Sequence, residues 1–175
     1  MTIRFVVIAV AFGAAALEAQ IPASHIAEAK QRYAYVRDNI HKAAEAMPEE
    51  NYSFKPTPDI RSFGELMAHI ADAQAAICGG ATGKMKPVGA GKKTTKTDIV
   101  AALRESSAGC DAGFESMTEA SSGEPVTMGS MKGSRLGMLE YNTGHDAEEY
   151  GYAAVYLRLK GVVPPTSAGR GGPGR

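Results

Sequence analysis

Four long segments with apolar residues at helical spacing constrain the fold of this chain more than any other feature. They cover about residues 24–47, 62–80, 95–117 and 134–160, and three of them end at Pro or Gly, which terminate helices. The second segment opens with Ser62 and Glu65, the S-x-x-E spacing of a capping box. No stretch of useful length alternates apolar and polar residues as a strand does. The sequence therefore predicts an all-α, four-helix fold.

The connection between the second and third helices is the segment GGATGKMKPVGAGKKTT, which is rich in Gly and Lys. Fully extended, it reaches about 50 Å, whereas a 20-residue helix is about 30 Å long. It can therefore cross the length of a bundle and leave helices two and three parallel. The other two connections are also long, so linker length alone leaves the topology open.

The first 19 residues are typical of a secretory signal. Arg4 precedes an apolar run over residues 5–17, and small residues lie at 14–16 and at Ala19. The run is too short for a membrane span, which needs roughly 20 residues. We expect cleavage after Ala19, with Ala16 as a competing position and an uncleaved anchor as the alternative. The mature domain would cover 20–166 and be periplasmic or secreted, with a disordered Gly-, Pro- and Arg-rich tail over 167–175.

Charge and cysteine content bound the partners and the compartment. The formal net charge is zero, which argues against the strongly basic surface that nucleic acids require. The chain has two cysteines, Cys78 and Cys110. Because disulfides persist in oxidising compartments, we predict that these two cysteines are bridged. Two buried free thiols are the alternative.

The fourth helix contains a candidate metal site in the segment GHDAEEYGY. His145 and Glu149 are one turn apart on one face. Their face is predicted to turn toward the core because it continues through mostly bulky residues: Met138, Tyr141, Asn142, Tyr152, Val155, Tyr156 and Leu159. A buried carboxylate must be paired or bound to a metal.

His69, on the apolar side of helix two, is the candidate third ligand, although a lone inward histidine can equally be a structural core residue. Asp72, three residues further on, could accept a hydrogen bond from His69 or lie on the surface. Glu148 remains an alternative to Glu149 as ligand, or a general base, because a modest rotation of the helix would exchange the two side chains.

The segment NYSFKPTPDIRSFGELMAHIADAQ, followed by NTGHDAEEYG and YLRLKGVVPP, resembles the DinB-like (YfiT-like) family of four-helix metalloenzymes over about residues 24–166. The resemblance implies a bundle with a long crossover between helices two and three, often dimeric. It also implies a divalent metal, usually zinc or nickel, bound by one His of helix two and an H-x3-H pair of helix four. These ligands fall on His69, His145 and position 149.

Position 149 departs from the family pattern because it holds Glu instead of His. The resulting set of two histidines and one carboxylate is one that catalytic zinc accepts and that non-haem iron(II) uses. Zinc or nickel is therefore the expected cofactor, with iron or manganese as alternatives. The Glu could also mark a degenerate site that binds no metal.

Two functional hypotheses follow. The first is an exported divalent-metal-dependent hydrolase or transferase that acts on a small-molecule substrate. The second is a non-catalytic exported helical protein that binds a metal or a partner through a degenerate site. A pocket lined by Tyr141 and Tyr152 that reaches an open metal position would favour the enzyme, and a closed or empty site would favour the binding protein.

Overall fold

The computed structural model describes residues 24–169, which form a helical bundle and confirm the all-α prediction. The helices, in chain order, are α1 (His25–Ala46), α2 (Phe63–Thr82), α3 (Lys96–Glu115), the single turn α4 (Glu119–Ser122) and α5 (Arg135–Leu159). The four long helices match the predicted segments to within two residues at each end. The predicted signal segment 1–19 and residues 170–175 of the predicted tail lie outside the described residues.

The helix starts follow from local side-chain chemistry. Ser24, Ser62, Thr95 and Ser134 precede the four long helices, and each side chain accepts a hydrogen bond from a backbone N–H of the first turn. Ser62 and Glu65 form both halves of the predicted capping box. The α2 helix ends at Gly83 in the left-handed region, with φ of 68°, where glycine is favoured.

Contacts between α2 and α3 show that these two helices run parallel. Gln74 meets Ser106, Cys78 is bonded to Cys110, and Thr82 lies against Gly113. The partner numbers therefore rise together along both helices. The linker over residues 83–95 accordingly crosses the length of the bundle, as its reach allowed.

The other helix pairs complete the topology. Opposite numbering makes α5 antiparallel to α2, because His69 faces Glu149 while Gln74 faces Asp146. In the same way α1 is antiparallel to α3, through the ion pairs of Arg37 with Asp111 and of Arg104 with Glu45. The bundle thus contains two parallel pairs, α2 with α3 and α1 with α5.

A small β-hairpin precedes α5 and was not predicted from the sequence. Strands β1 (Pro125–Met128) and β2 (Met131–Ser134) pair antiparallel, joined at Gly129, which has φ of 59°. Four-residue strands carry too little periodicity to be recognised, although the Gly-Ser pair between them is a known hairpin signal. Packing of Met128 against Gly80 of α2 holds the hairpin on the bundle.

A polar layer divides the core of the bundle into two apolar halves. One half surrounds Phe63, Ile70 and Leu157, and the other surrounds Phe114 and Leu139 beside the disulfide. The layer between them consists of buried polar side chains: Gln74, Ser106, Ser107, Asn142 and Asp146. None of the helices within residues 24–169 is both long and apolar enough to cross a membrane.

The predicted disulfide is present, and its removal should weaken the bundle measurably. The bond joins buried Cys78 and Cys110 across a sequence separation of 32 residues. Replacing both with Ala should lower the free energy of unfolding by about 3–4 kcal/mol, mainly because the unfolded chain regains freedom. Urea unfolding followed by circular dichroism measures this.

Reduction supplies the control for the disulfide prediction. A reductant should move the unfolding midpoint of the native sequence to that of the double variant and leave the variant unchanged. Coincident midpoints for the oxidised protein and the variant would contradict the expected stabilisation.

Candidate metal centre

His69 of α2 meets His145 and Glu149 of α5 where the two helices face each other. The two histidine Nε2 atoms are 3.2 Å apart. Glu149 Oε1 lies 3.5 Å from Nε2 of His69 and 3.6 Å from Nε2 of His145. The three residues singled out in the sequence therefore come together through tertiary structure.

The spacing of these three atoms suits a metal ion. Zinc binds histidine nitrogen and carboxylate oxygen at about 2.0–2.1 Å in tetrahedral geometry, which places the ligand atoms about 3.3 Å from one another. The observed separations of 3.2, 3.5 and 3.6 Å are close to that value. The side chains of Glu149, His145 and His69 are 10%, 18% and 33% exposed, so the cluster opens to solvent on the His69 side.

Asp146 lies behind His145 and is fully buried. Its Oδ2 accepts hydrogen bonds from Gln74 Nε2 at 2.8 Å and from Asn142 Nδ2 at 2.9 Å. Its Oδ1 faces His145 Nδ1 at 3.7 Å, which is longer than a formed hydrogen bond, and neither atom has another partner among the described residues. A carboxylate in this position favours a proton on Nδ1 and leaves the Nε2 lone pair for a metal ion.

The polar layer continues from Asp146 across the bundle. Gln74 Oε1 accepts hydrogen bonds from Ser106 Oγ at 2.7 Å and Ser107 Oγ at 3.1 Å. Ser107 Oγ in turn lies 2.9 Å from His41 Nε2 of α1. Side chains of all four long helices therefore take part in holding the carboxylate beside His145.

The electrostatic environment treats the two histidines differently. Burial, followed by the positive charge of Arg61, lowers the pKa of His69 and keeps its imidazole neutral. The Asp146 carboxylate raises the pKa of His145 despite burial. The imidazole of His145 therefore attracts a cation more strongly than the imidazole of His69. Burial is also the main cause that raises the pKa of Asp146.

The positions of the side chains bear on two alternatives that the sequence left open. Glu149 is the carboxylate that faces both histidines, whereas Glu148 is exposed and accepts a hydrogen bond from Tyr152 at 3.1 Å. Asp72 does not hydrogen-bond His69. Its two oxygens accept the backbone N–H groups of Ala90 and Gly91 at 2.8 Å each and so anchor the crossover linker.

The predicted core-facing row of α5 is partly wrong. Tyr141, Tyr152, Val155 and Leu159 are half exposed, whereas Met138, Asn142 and Tyr156 are buried as predicted. The buried row also includes Asp146, Glu149 and Ala153. Because the core has a polar layer at this height, apolar character does not mark the inner face of the helix. Gln74 and Asp146 were consequently missed, although each lies four residues from a buried position on its own helix.

A cleft of about 590 Å³ adjoins the cluster and has Glu149 in its lining. It lies between the loop that precedes α2 and the second half of α5. Tyr152 contributes to its wall, as expected, but Tyr141 does not. The cleft is lined by Pro56, Asp59, Ile60, Arg61, Leu66, Glu149, Tyr152, Val155 and Tyr156.

The fold and the placement of these residues agree with a sequence comparison. The family described as the DinB superfamily matches residues 32–153, well over half of the chain and a span that contains His69, His145 and Glu149. The chain belongs to the DinB superfamily.

Solved structures show the same architecture. A DinB-like protein from Bacillus cereus has a TM-score of 0.68 at 19% identity, covering 78% of this chain and 93% of its own. Another, from Bacillus subtilis, has a TM-score of 0.63 at 20% identity, covering 77% and 92%. At these identities the likeness establishes the fold alone. Among curated proteins, no sequence matches this chain.

Replacing Asp146 with Asn should disturb the site while keeping its shape. The Asn oxygen can still accept from Gln74 and Asn142, so its NH₂ group would face His145 Nδ1. That nitrogen must then accept, which moves the ring proton to Nε2, where a metal would bind. Zinc affinity, measured by competition with a chelating dye, should fall roughly 10- to 100-fold.

Asp98→Asn is the matched control, because Asp98 is exposed in the first turn of α3 and contacts only Thr95 there. This variant should leave zinc affinity unchanged. Nitrogen-15 NMR of the metal-free Asp146→Asn protein should show His145 protonated at Nε2. Unchanged zinc affinity in Asp146→Asn would contradict the role assigned to this carboxylate.

Proposed function

We propose that His69, His145 and Glu149 bind one divalent metal ion, and that the protein is a metal-dependent hydrolase or transferase whose small-molecule substrate occupies the adjoining cleft. The observation that carries the proposal is the approach of two imidazole nitrogens and one carboxylate oxygen to within 3.2–3.6 Å beside an open cleft. Zinc is the first ion to test, since two His and one Glu form a known catalytic zinc set. Nickel, iron and manganese are the alternatives.

Charge balance in the interior supports a cation at this point. Glu149 and Asp146 are both buried. Within residues 24–169, neither carboxylate forms an ion pair with a Lys or Arg side chain. Buried carboxylates are costly unless paired or bound to a metal. A divalent ion between the two histidines would offset both negative charges, directly through Glu149 and through His145 for Asp146.

The open side of the cluster supports catalysis over simple metal storage. Three protein donors leave a coordination position free, which is the arrangement of catalytic zinc sites, whereas structural sites are closed by four. A divalent ion held in this way supplies Lewis-acid chemistry to a molecule beside it. Because Glu149 also lines the cleft, a molecule in the cleft would lie next to the candidate metal ligands.

The chain itself would orient the substrate and restrict water. The rings of Tyr152 and Tyr156 form flat walls of the cleft. Tyr156 is fixed by a hydrogen bond from its hydroxyl to the Arg61 carbonyl at 2.6 Å. The hydrogen bond to Glu148 raises the pKa of Tyr152, so the Tyr152 hydroxyl remains protonated at neutral pH.

We also propose that the protein is exported. The buried Cys78–Cys110 disulfide suits an oxidising compartment, and the first 19 residues have the layout of a secretory signal. Expression of the full sequence in a bacterial host should give a periplasmic protein that begins at Gln20 by mass spectrometry. A cytosolic protein with residues 1–19 retained would contradict export.

Elemental analysis of the purified protein tests the metal site. We expect near one divalent ion per chain in the native sequence. His145→Ala and Glu149→Ala should each lose most of it, because two remaining donors hold an ion weakly. Plasma emission spectrometry on protein dialysed against metal-free buffer gives both the amount and the identity of the ion.

Glu148→Ala is the matched control, since it removes an identical side chain one residue away that faces Tyr152 instead of the histidines. It should retain the metal. A native protein without metal after reloading with zinc, nickel, iron and manganese would overturn the proposal, and metal loss in Glu148→Ala alone would assign the ligand to Glu148.

A further inference from the structure

Arg61 lies at the cleft and has no ion-pair partner among residues 24–169. It is exposed and immediately precedes the N-cap Ser62 of α2. The nearby Glu65 carboxylate is engaged by Lys55 at 3.2 Å and by the backbone N–H of Ser62 at 2.6 Å. Within residues 24–169 the arginines that form ion pairs are Arg37, Arg104 and Arg135.

The backbone holds Arg61 at the cleft. Its carbonyl accepts the Tyr156 hydroxyl at 2.6 Å, which ties the loop before α2 to the second half of α5. The positive charge of Arg61 lowers the pKa of Tyr156, against the larger effect of burial. Arg61 is therefore fixed on the same side of the bundle as Glu149, which lines the same cleft.

The charges around the cleft favour an anionic ligand. The charged side chains of the lining are Asp59, Arg61 and Glu149, and Asp59 does not come within ion-pair distance of Arg61. A bound divalent ion would offset Glu149 and the neighbouring Asp146. The unpaired guanidinium of Arg61 and the open coordination position of the ion would then both be able to bind an anion.

The remaining lining is apolar and partly uncovered. Ile60, Tyr152 and Val155 are 41%, 51% and 54% exposed, and they border the cleft together with Leu66 and Tyr156. Covering such side chains with an apolar ligand is favourable in proportion to the area removed from water. The lining thus suits a molecule with a carbon skeleton as well as a charge.

We propose that the cleft binds a small organic acid, in which a carboxylate pairs with Arg61 and an apolar body lies against Tyr152 and Val155. This placement would direct the far end of the molecule toward Glu149 and the metal ion. The proposal rests on the proposed function for its catalytic meaning and names the substrate class of the same site. A guanidinium can bind a carboxylate through two parallel, charge-assisted hydrogen bonds. A neutral amide cannot form this pair, so Arg61 would favour an acid over its amide.

Isothermal titration calorimetry with a matched ligand pair tests this assignment. The probes are 4-phenylbutyrate and 4-phenylbutanamide, which differ in the charged group while sharing the same body. Zinc-loaded protein should bind the acid roughly fivefold more tightly than the amide, as a single partly exposed ion pair provides. Arg61→Gln should remove this preference, whereas Arg32→Gln, an exposed arginine of α1, should retain it.

The outcomes separate this inference from the metal proposal. Equal binding of acid and amide, no binding of either, or a preference that survives in Arg61→Gln would overturn the assignment of Arg61. Failure to load zinc would overturn the metal site instead. In that case a preference of the metal-free protein for the acid, lost in Arg61→Gln, would still support the organic-acid cleft, and its absence would overturn it.

Discussion

The buried carboxylate of Asp146 is the constraint on which the middle of this bundle depends. A carboxylate without exposure to water must be hydrogen-bonded or paired, and here Gln74, Asn142 and the ring of His145 surround it. Gln74 is held in turn by serines of α3, and one of these serines contacts His41 of α1. One buried charge therefore fixes the relative height of all four long helices and the orientation of a candidate metal ligand.

Two further links reinforce the same arrangement. The Cys78–Cys110 disulfide lies one turn beyond Gln74 and locks α2 to α3. Asp72 holds the backbone of Ala90 and Gly91, so the crossover linker is anchored near its middle. Both links act on α2, the helix that carries His69. The parallel pair of helices thus forms a stiff wall against which α5 presents His145 and Glu149, and precise donor spacing needs such support.

Helix number, helix boundaries and the disulfide could be predicted because each has a local signal: periodicity, N-cap residues and cysteine content. The proximity of His69, His145 and Glu149 could also be anticipated, since His145 and Glu149 are one turn apart and His69 lies on an apolar face; that they bind a metal stays a prediction. The hairpin before α5 could not be predicted, because its four-residue strands are stabilised by packing on α2. The exposed face of α5 was misassigned at Tyr141 and Tyr152, because the helix turns polar residues inward where the core itself is polar.

By itself, the sequence determined the helical segments, their caps and a set of three candidate donors, all of which depend on residues close together along the chain. Tertiary structure decided that α2 and α3 are parallel and that Glu149 faces the histidines while Glu148 faces Tyr152. It also decided that Asp146, Gln74 and Arg61 belong to the surroundings of the site. These features depend on which helix faces meet across the bundle. The burial of Asp146 among partners from different helices cannot be read from any local sequence pattern, because those partners are far apart along the chain.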